Sequence, residues 1–332
     1  MIPMDLPNLV VLDVGHGNCA VLSDTKGVMI VDAGQKDTLL QFLEQHGIIE
    51  ISAIFISHAD DDHIAGVPSL LLDKKITVQE VYINPDSGKQ GKHWKAFRSA
   101  IKVARQQKGT KVNTQLTTVL NGKLKLGSID IEVLAPEPEY AVSVPEGIDL
   151  EGKKLTSNAM SAVIRLDKDS TPLVVLAGDI ENRSIETWLS EDSDSKAQVL
   201  VFPHHGGKLH PSKTSEIVSH LCKKIEPECV IFSNGREKHD TPRKEVIETI
   251  LSNLPDVNIL CTQLSEHCAS EILSIQPSHL NELPSTGAYY GNCCAGSITI
   301  DLSKSKPVVN PNQKCHRDFI KKAAPTALCI RG

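Results

Sequence analysis

His58, Asp60, Asp61, Asp62 and His63 fall within six consecutive positions, "HADDDH", just after the apolar run Ala53 to Ile56. Three adjacent carboxylates repel one another, and no cation nearby in the sequence neutralises them. Imidazole and carboxylate are the mixed N and O ligands that zinc, manganese and iron accept, so a divalent cation would supply the missing counter-charge. His58 and Asp60 are two apart and can converge on one point across a turn, while the consecutive Asp62 and His63 can reach a second point beside it. That spacing suits two metals. The competing reading is an acidic helix start, in which aspartates cap the orphan N–H groups of the helix that opens at "IAGV". Capping accounts for one aspartate, Asp61 or Asp62, and leaves both histidines unexplained.

A site of this kind draws ligands from several strand ends, where loops are carried on rigid supports. The run "PLVVLAGDI" ends on Asp179, "QVLVFPHHGG" ends on His204 and His205, and "SNGREKHDTP" places His239 between a strand and a helix that follows a proline. Each has an ordinary explanation alone, such as a helix cap for Asp179 or packed histidines. Together they point to one centre.

The elements that would position these residues come in two successive sets. The first is "NLVVLDV", "NCAVLSD" and "GVMIVDAG", a helix over roughly Lys36 to His46, "ISAIFIS", a short helix and "VQEVYIN". The second begins with "SIDIEVLAP", "SAVIRLD" and "PLVVLAGDI", alternates helices with "AQVLVFPHHG", "ECVIFSNG" and "VNILCTQ", and closes on "GSITIDL". Two β-rich halves with helices outside predict an α+β, four-layer αββα sandwich over residues 1–302. Residues 135–158, rich in Pro, Gly and acidic side chains, read as an exposed midpoint loop. Residues 303–332 read as a polar C-terminal extension.

With 332 residues, 40% hydrophobic and 23% charged, the chain has the composition of an ordinary globular protein with a sizeable core. No run approaches the ~20 apolar residues of a membrane helix, and the N-terminus lacks secretory-signal features, so a cytoplasmic location without membrane contact is expected. Nine cysteines without a CxxC pair favour neither a disulfide framework nor a zinc ribbon, and are read as mostly buried thiols.

The net charge of −6 hides an asymmetry. Ten basic and no acidic residues lie between Ser87 and Gly127, leaving 25 basic against 41 acidic residues elsewhere, a balance of −16. Within that segment "HWKAFRSAIKVARQQK" predicts a helix with Lys95, Arg98, Lys102 and Arg105 on one stripe. Trp94, Phe97, Ile101 and Ala104 fall on the neighbouring stripe. The basic stripe is either a solvated face or a surface for a phosphate backbone.

The motifs "DVGHGNCAVL", "VDAG", "SHADDDHIAGV", "SNAMSAVIRL", "LAGDI", "PHHGG" and "SNGREKHDTP" resemble those of the metallo-β-lactamase superfamily, in its ComEC-like branch. The resemblance extends over roughly residues 8 to 302. It implies His58 and Asp60 toward one metal, Asp62 and His63 toward the other, and Asp179 bridging both. One of His204 or His205 completes the second site, with His204 taken as the ligand, and Asp32 is the structural aspartate beneath. Departures are Asp60 where the superfamily usually has histidine, and Asn18 where the branch commonly has Asp. Between His63 and His204 the one histidine is His93, so Asn158 is the nearest polar group for the first site and for substrate.

Two divalent ions follow, Zn²⁺ or Mn²⁺ with Mg²⁺ also compatible, the first site being the weaker. Such a pair suits hydrolysis, with Asp62 central and His205 and His239 placed to protonate a leaving oxygen. The leading expectation is a nuclease or phosphodiesterase acting on nucleic acid, with Lys95, Arg98, Lys102 and Arg105 holding phosphates. The alternatives are a hydrolase of small esters, lactones or thioesters, and a metal-binding regulatory module. The resemblance leaves room for DNA handling or antiviral defence with an operon-encoded protein partner.

Overall fold

The computed structural model describes residues 6–330 apart from 36, 87, 144–146, 149–151, 153–154, 191–193, 237–238 and 272–276. Part of the expected midpoint loop therefore lies outside the described residues, as do Lys36 and Ser87. The first half holds β1 (Asn8–Val11), β2 (Ala20–Asp24), β3 (Gly27–Val31), α1 (Thr38–His46), β4 (Glu50–Ile56), α2 (Asp61–Ile64), α3 (Val67–Leu72), β5 (Thr77–Ile83), α4 (Lys92–Lys108) and β6 (Lys111–Asn113). After it come β7 (Leu124–Leu126), β8 (Ile129–Ala135), α5 (Pro138–Ser143), β9 (Val163–Lys168), β10 (Thr171–Leu176), α6 (Asn182–Ser190), β11 (Val199–Val201), α7 (Thr214–Ile225), β12 (Cys229–Phe232), α8 (Lys244–Asn253) and β13 (Asn258–Cys261). The chain closes with α9 (Thr286–Tyr290), β14 (Ile298–Asp301), β15 (Val308–Asn310) and α10 (Gln313–Ala323).

Two sheets form, ordered β15-β14-β1-β2-β3-β4-β5-β6 and β13-β12-β11-β10-β9-β8-β7. Each sheet is mixed. β3 to β6 run parallel in the first and β10 to β13 in the second, while the hairpin-connected strands pair antiparallel. Strands β1 to β4 and β10 to β13 are largely buried on both faces, which is why they read as near-continuous hydrophobic runs. Leu9, Val11, Leu22, Val31 and Phe55 meet Ile131, Ile164, Val174, Val201 and Ile231 between the sheets. The alternate residues Val10, Val21, Ile30, Ile54 and Ile56 pack outward on Phe42, Leu43, Leu70, Trp94 and Phe97 of the first helical layer. Val175, Leu200, Val230 and Phe232 pack on Trp188, Leu221, Ile247 and Ile320 of the second. The αββα layers are those expected from the sequence.

The segment after residue 302, read as a polar extension, adds more. β15 pairs with β14 at the sheet edge, and α10 lays Ile320 on the second outer core. Short β6 and β7, which periodicity alone did not mark, finish the two sheets at the opposite edge. No helix among the described residues is long and apolar enough to cross a membrane.

The topology brings the carboxyl ends of β1, β3 and β4 to one edge of the first sheet, beside those of β10, β11 and β12 of the second. Open α/β sheets place their sites at such ends. Phe42 of α1 is fully buried in the core between the first sheet and its helices, so Phe42→Ala should cost about 3–5 kcal/mol of stability. Chemical denaturation of the two proteins measures the difference.

Candidate metal centre

Three imidazoles converge, each anchored through Nδ1 and aimed through Nε2. His63 Nδ1–H donates to Asp32 Oδ2 at 2.8 Å, and His205 Nδ1–H donates to the Ser233 carbonyl at 2.7 Å. His58 Nδ1 lies 3.2 Å from Ser57 Oγ and 3.5 Å from Ser161 Oγ. Asp32 is held in turn by the Ser57 N–H at 2.7 Å and the Ser57 hydroxyl at 2.8 Å, at a left-handed backbone position. Partners on the far nitrogen fix a ring's tautomer and direction, as they do around bound metals.

Asp62, His63, Asp179 and His205 bring one donor atom each within 4.8 Å of one another. His205 Nε2 is 3.2 Å from Asp62 Oδ2 and 3.5 Å from Asp179 Oδ2. His63 Nε2 approaches Asp179 Oδ1 at 3.2 Å without the alignment of a hydrogen bond. His58 Nε2, His63 Nε2 and Asp179 Oδ1 are all buried and make no hydrogen bond. Each such group costs about 1–3 kcal/mol when left unmet, and a cation would meet all three. The donor set thus fits a divalent metal.

The expected division of the histidine pair is reversed in space. His205, expected as a proton donor, is the buried member of the donor group. His204, expected as the ligand, is 29% exposed and turned toward Asp179 Oδ2 and Glu181 Oε2, at 3.7 Å from each, and toward Asn158 Nδ2 at 3.3 Å. Both histidines adopt left-handed backbone conformations, a strain of roughly 1–3 kcal/mol each that surrounding contacts must hold.

His58 and Asp60 stand beside this group, their Nε2 and Oδ1 3.8 Å apart. The Asp60 backbone caps α2, but no aspartate side chain of this turn caps the helix, so the capping explanation of the acidic run does not apply. Asp60 instead pairs with the Lys89 ammonium, a partner 29 positions away that local reading missed.

His16 was also missed. Its Nε2 is 3.4 Å from Asp62 Oδ2, and its ring lies 4.4 Å from those of His205 and His239. The glycines of "GHGN" are the signal. Gly17 has a left-handed φ of 138°, and a Cβ there would stand 2.5 Å from the Asp62 carbonyl, which the neighbouring Asn18 N–H also contacts at 3.2 Å. Asn18 therefore supports the loop through its backbone. Asp13 anchors the same loop, accepting from Gly15 N–H, Gln263, Ser285 and Gly287 N–H.

The electrostatics bind the group together. Burial opposes charge throughout, yet the histidines His205 and His63 hold the Asp179 carboxyl well below its usual range. Asp62 is likewise depressed against burial by His63 and His205. Against the same burial, Asp179, Asp32 and Asp62 raise His63 well above an ordinary histidine. Burial, with His205 alongside, pushes His16 down to about 3, so it is a neutral ring near neutral pH.

The donors open into a cavity of about 490 Å³ also lined by His239, Asn158, Lys208 and Arg243. The basic stripe is on α4 as expected, with Trp94, Phe97, Ala100 and Ala104 as its buried face. Arg98, Lys102 and Arg105 line a different and larger cleft of about 1050 Å³, whereas Lys95 points to solvent outside it. The Asp/His donors converge on the smaller cavity. The two are neighbours: Asp86 of the cleft accepts from the Ser157 hydroxyl at 2.5 Å, next to Asn158.

The sequence model of the metallo-beta-lactamase superfamily matches residues 12–153. ComE operon protein 3 of Bacillus subtilis (strain 168) is 24% identical over 249 residues, covering 71% of this chain and 28% of that protein. The chain thus spans less than a third of that relative's length. Among solved structures, the metallo hydrolase Igni18 of Ignicoccus hospitalis is 15% identical with a TM-score of 0.46, over 76% of this chain and 94% of that one. The metallo-beta-lactamase fold protein YhfI of Bacillus subtilis is 15% identical with a TM-score of 0.45, over 77% and 96%. Human tRNase Z, short form, is 14% identical with a TM-score of 0.38, over 69% and 92%. The family match over residues 12–153 and the motif residues gathered at one edge of an αββα sandwich make the chain similar to the metallo-β-lactamase superfamily.

Proposed function

We propose that the protein is a metal-dependent phosphodiesterase acting on nucleic acid. The observation that carries this reading is the buried Asp/His donor group facing a cavity that carries further imidazoles and the cations Lys208 and Arg243. Asp62, His63, Asp179 and His205 would hold one divalent ion, and His58 and Asp60 with Asp179 a second. Bound there, such ions supply Lewis acidity and a hydroxide nucleophile near neutral pH.

The remaining work falls to the chain's own groups. Lys208 and Arg243 neutralise non-bridging phosphate oxygens, and Asn158 orients the substrate from the opposite wall. His205 Nε2 is committed to Asp62 and Asp179, so the proton for the leaving oxygen comes from His239, which lines the cavity and packs on His16. The cleft under α4 takes the phosphates beyond the scissile one, through Arg98, Lys102 and Arg105.

Single-turnover assays on single- and double-stranded DNA and RNA with Mn²⁺, Mg²⁺ or Zn²⁺ test the reading. Cleavage is expected with at least one combination, with a loss of more than about 100-fold in Asp62→Asn and Asp179→Asn; no cleavage under any combination would overturn it. Asp32→Asn, which leaves His63 unsupported, should weaken metal binding about 10- to 100-fold in a calorimetric titration. Lys89 competes for Asp60, so Lys89→Ala should tighten the weaker binding step by about two- to fivefold. Reversing Arg98, Lys102 and Arg105 to Glu should slow cleavage of polynucleotides and steepen nothing for a small diester such as bis(p-nitrophenyl) phosphate. Unchanged polynucleotide cleavage would remove the α4 cleft from substrate binding.

A further inference from the structure

The cleft under α4 combines a cationic rim with an apolar floor. The floor is Pro85 after β5, Trp94, Phe97 and Ile101 of α4, and Val112 of β6. The Trp94 and Phe97 rings stack with centroids 5.4 Å apart. At the rim, Arg98, Lys102 and Arg105 make no ion pair among the described residues, and α4 carries no acidic residue. Lys111 joins them from β6 and shares its charge with Glu80 at 3.4 Å. A phosphate brought onto the floor would lose its water against apolar carbon, which is costly for a charge. Phosphates therefore stop at the rim, and the floor suits a flat, uncharged group. At about 1050 Å³ the cleft stands at the upper end of the ~300–1,000 Å³ of ordinary ligand pockets, room for roughly one or two nucleotides.

Asp86 supplies an independent observation. It lines the same cleft, is 5% exposed, and its Oδ1 is buried without a hydrogen bond. A free carboxyl oxygen there repels a bare anion and stays unmet beside an acyl chain, whereas an N–H donor satisfies it. Its Oδ2 is already taken by the Ser157 hydroxyl at 2.5 Å, next to Asn158 of the metal cavity. The polar neighbours are committed elsewhere. Asn84 donates to the Leu116 carbonyl at 2.9 Å and accepts from its N–H at 2.8 Å, and the Thr110 hydroxyl donates to the Val78 carbonyl at 2.8 Å. A nucleobase in a strand joins the three requirements: an apolar ring, N–H donors on its edge, and a phosphate on either side.

We propose that the α4 cleft seats an unpaired nucleobase, so that the substrate is single-stranded nucleic acid. The ring lies on the floor between Trp94, Ile101 and Val112, its edge donates to Asp86 Oδ1, and the flanking phosphates rest on Arg98, Lys102 and Arg105. On the phosphodiesterase reading, upon which this rests, the strand runs from the seat past Ser157 and Asn158 to the Asp/His donors. In a duplex the ring faces are stacked and the pairing edges occupied, so a duplex offers the rim its phosphates alone.

Binding without cleavage isolates the cleft. The full chain in EDTA is titrated with labelled oligonucleotides of about ten nucleotides: a single strand, its duplex, and an abasic strand that keeps the phosphates. The single strand should bind about tenfold tighter than either of the others at equal salt, and should quench Trp94 fluorescence. Trp188, the other tryptophan, is fully buried in the second outer core and gives a constant background. Asp86→Asn keeps an oxygen for Ser157 and puts an amide N–H in place of the free acceptor. Oligo(dC), whose amino group donates, should then lose a roughly five- to tenfold advantage over oligo(dT), whose O4 accepts. An advantage that the substitution leaves unchanged would overturn the Asp86 contact. Equal binding of single, duplex and abasic strands would overturn the base seat and leave the phosphodiesterase reading standing. Tight, quenching single strands with no cleavage under any metal would keep the seat and overturn the phosphodiesterase reading.

Discussion

His58 Nε2, His63 Nε2 and Asp179 Oδ1 are buried, close together and without hydrogen bonds, and much of the fold exists to hold them so. Left alone, three such groups take a sizeable share of a stability that for whole domains is only 5–15 kcal/mol. The fold tolerates them because their opposite ends are firmly anchored. Asp32, Ser57 and the Ser233 carbonyl occupy the Nδ1 sides, so the free nitrogens cannot rotate away to find partners. A cation placed among them turns a cost into the strongest local interaction.

The two sheets make that arrangement available by directing six strand ends to one edge. Because β1, β3, β4, β10, β11 and β12 are largely buried on both faces, their register is fixed by apolar packing well before they reach the site. Glycine at position 17 then lets the β1 loop touch the backbone of Asp62, and Asp13 ties that loop to residues from the last third of the chain. The centre is consequently sensitive to contacts far from it in sequence.

The two halves of the centre are unequal. The group around Asp179 is buried and gathers three imidazole or carboxylate neighbours, whereas Asp60 is about a third exposed and already shares its charge with Lys89. An ammonium there neutralises the carboxylate without ordering it as a metal would. Arg98, Lys102 and Arg105 gather basic charge in the cleft beside α4, in a chain whose remainder is acidic.

By itself the sequence determined the layers and the ligand types. Strands apolar on both faces, helices with one buried stripe, and His or Asp at the ends of apolar runs are local patterns, set by periods of two and 3.6 residues. Tertiary structure alone decided which atoms meet. His204 and His205 are equivalent on paper, and only the turn after β11 sends the second inward. His16 and Lys89 have no local partner to betray them, because the groups they face arrive from other strands. Cys294 was legible as a buried thiol but not as the neighbour of His316, which α10 brings to 3.1 Å from its sulfur, a relation that sequence spacing does not encode.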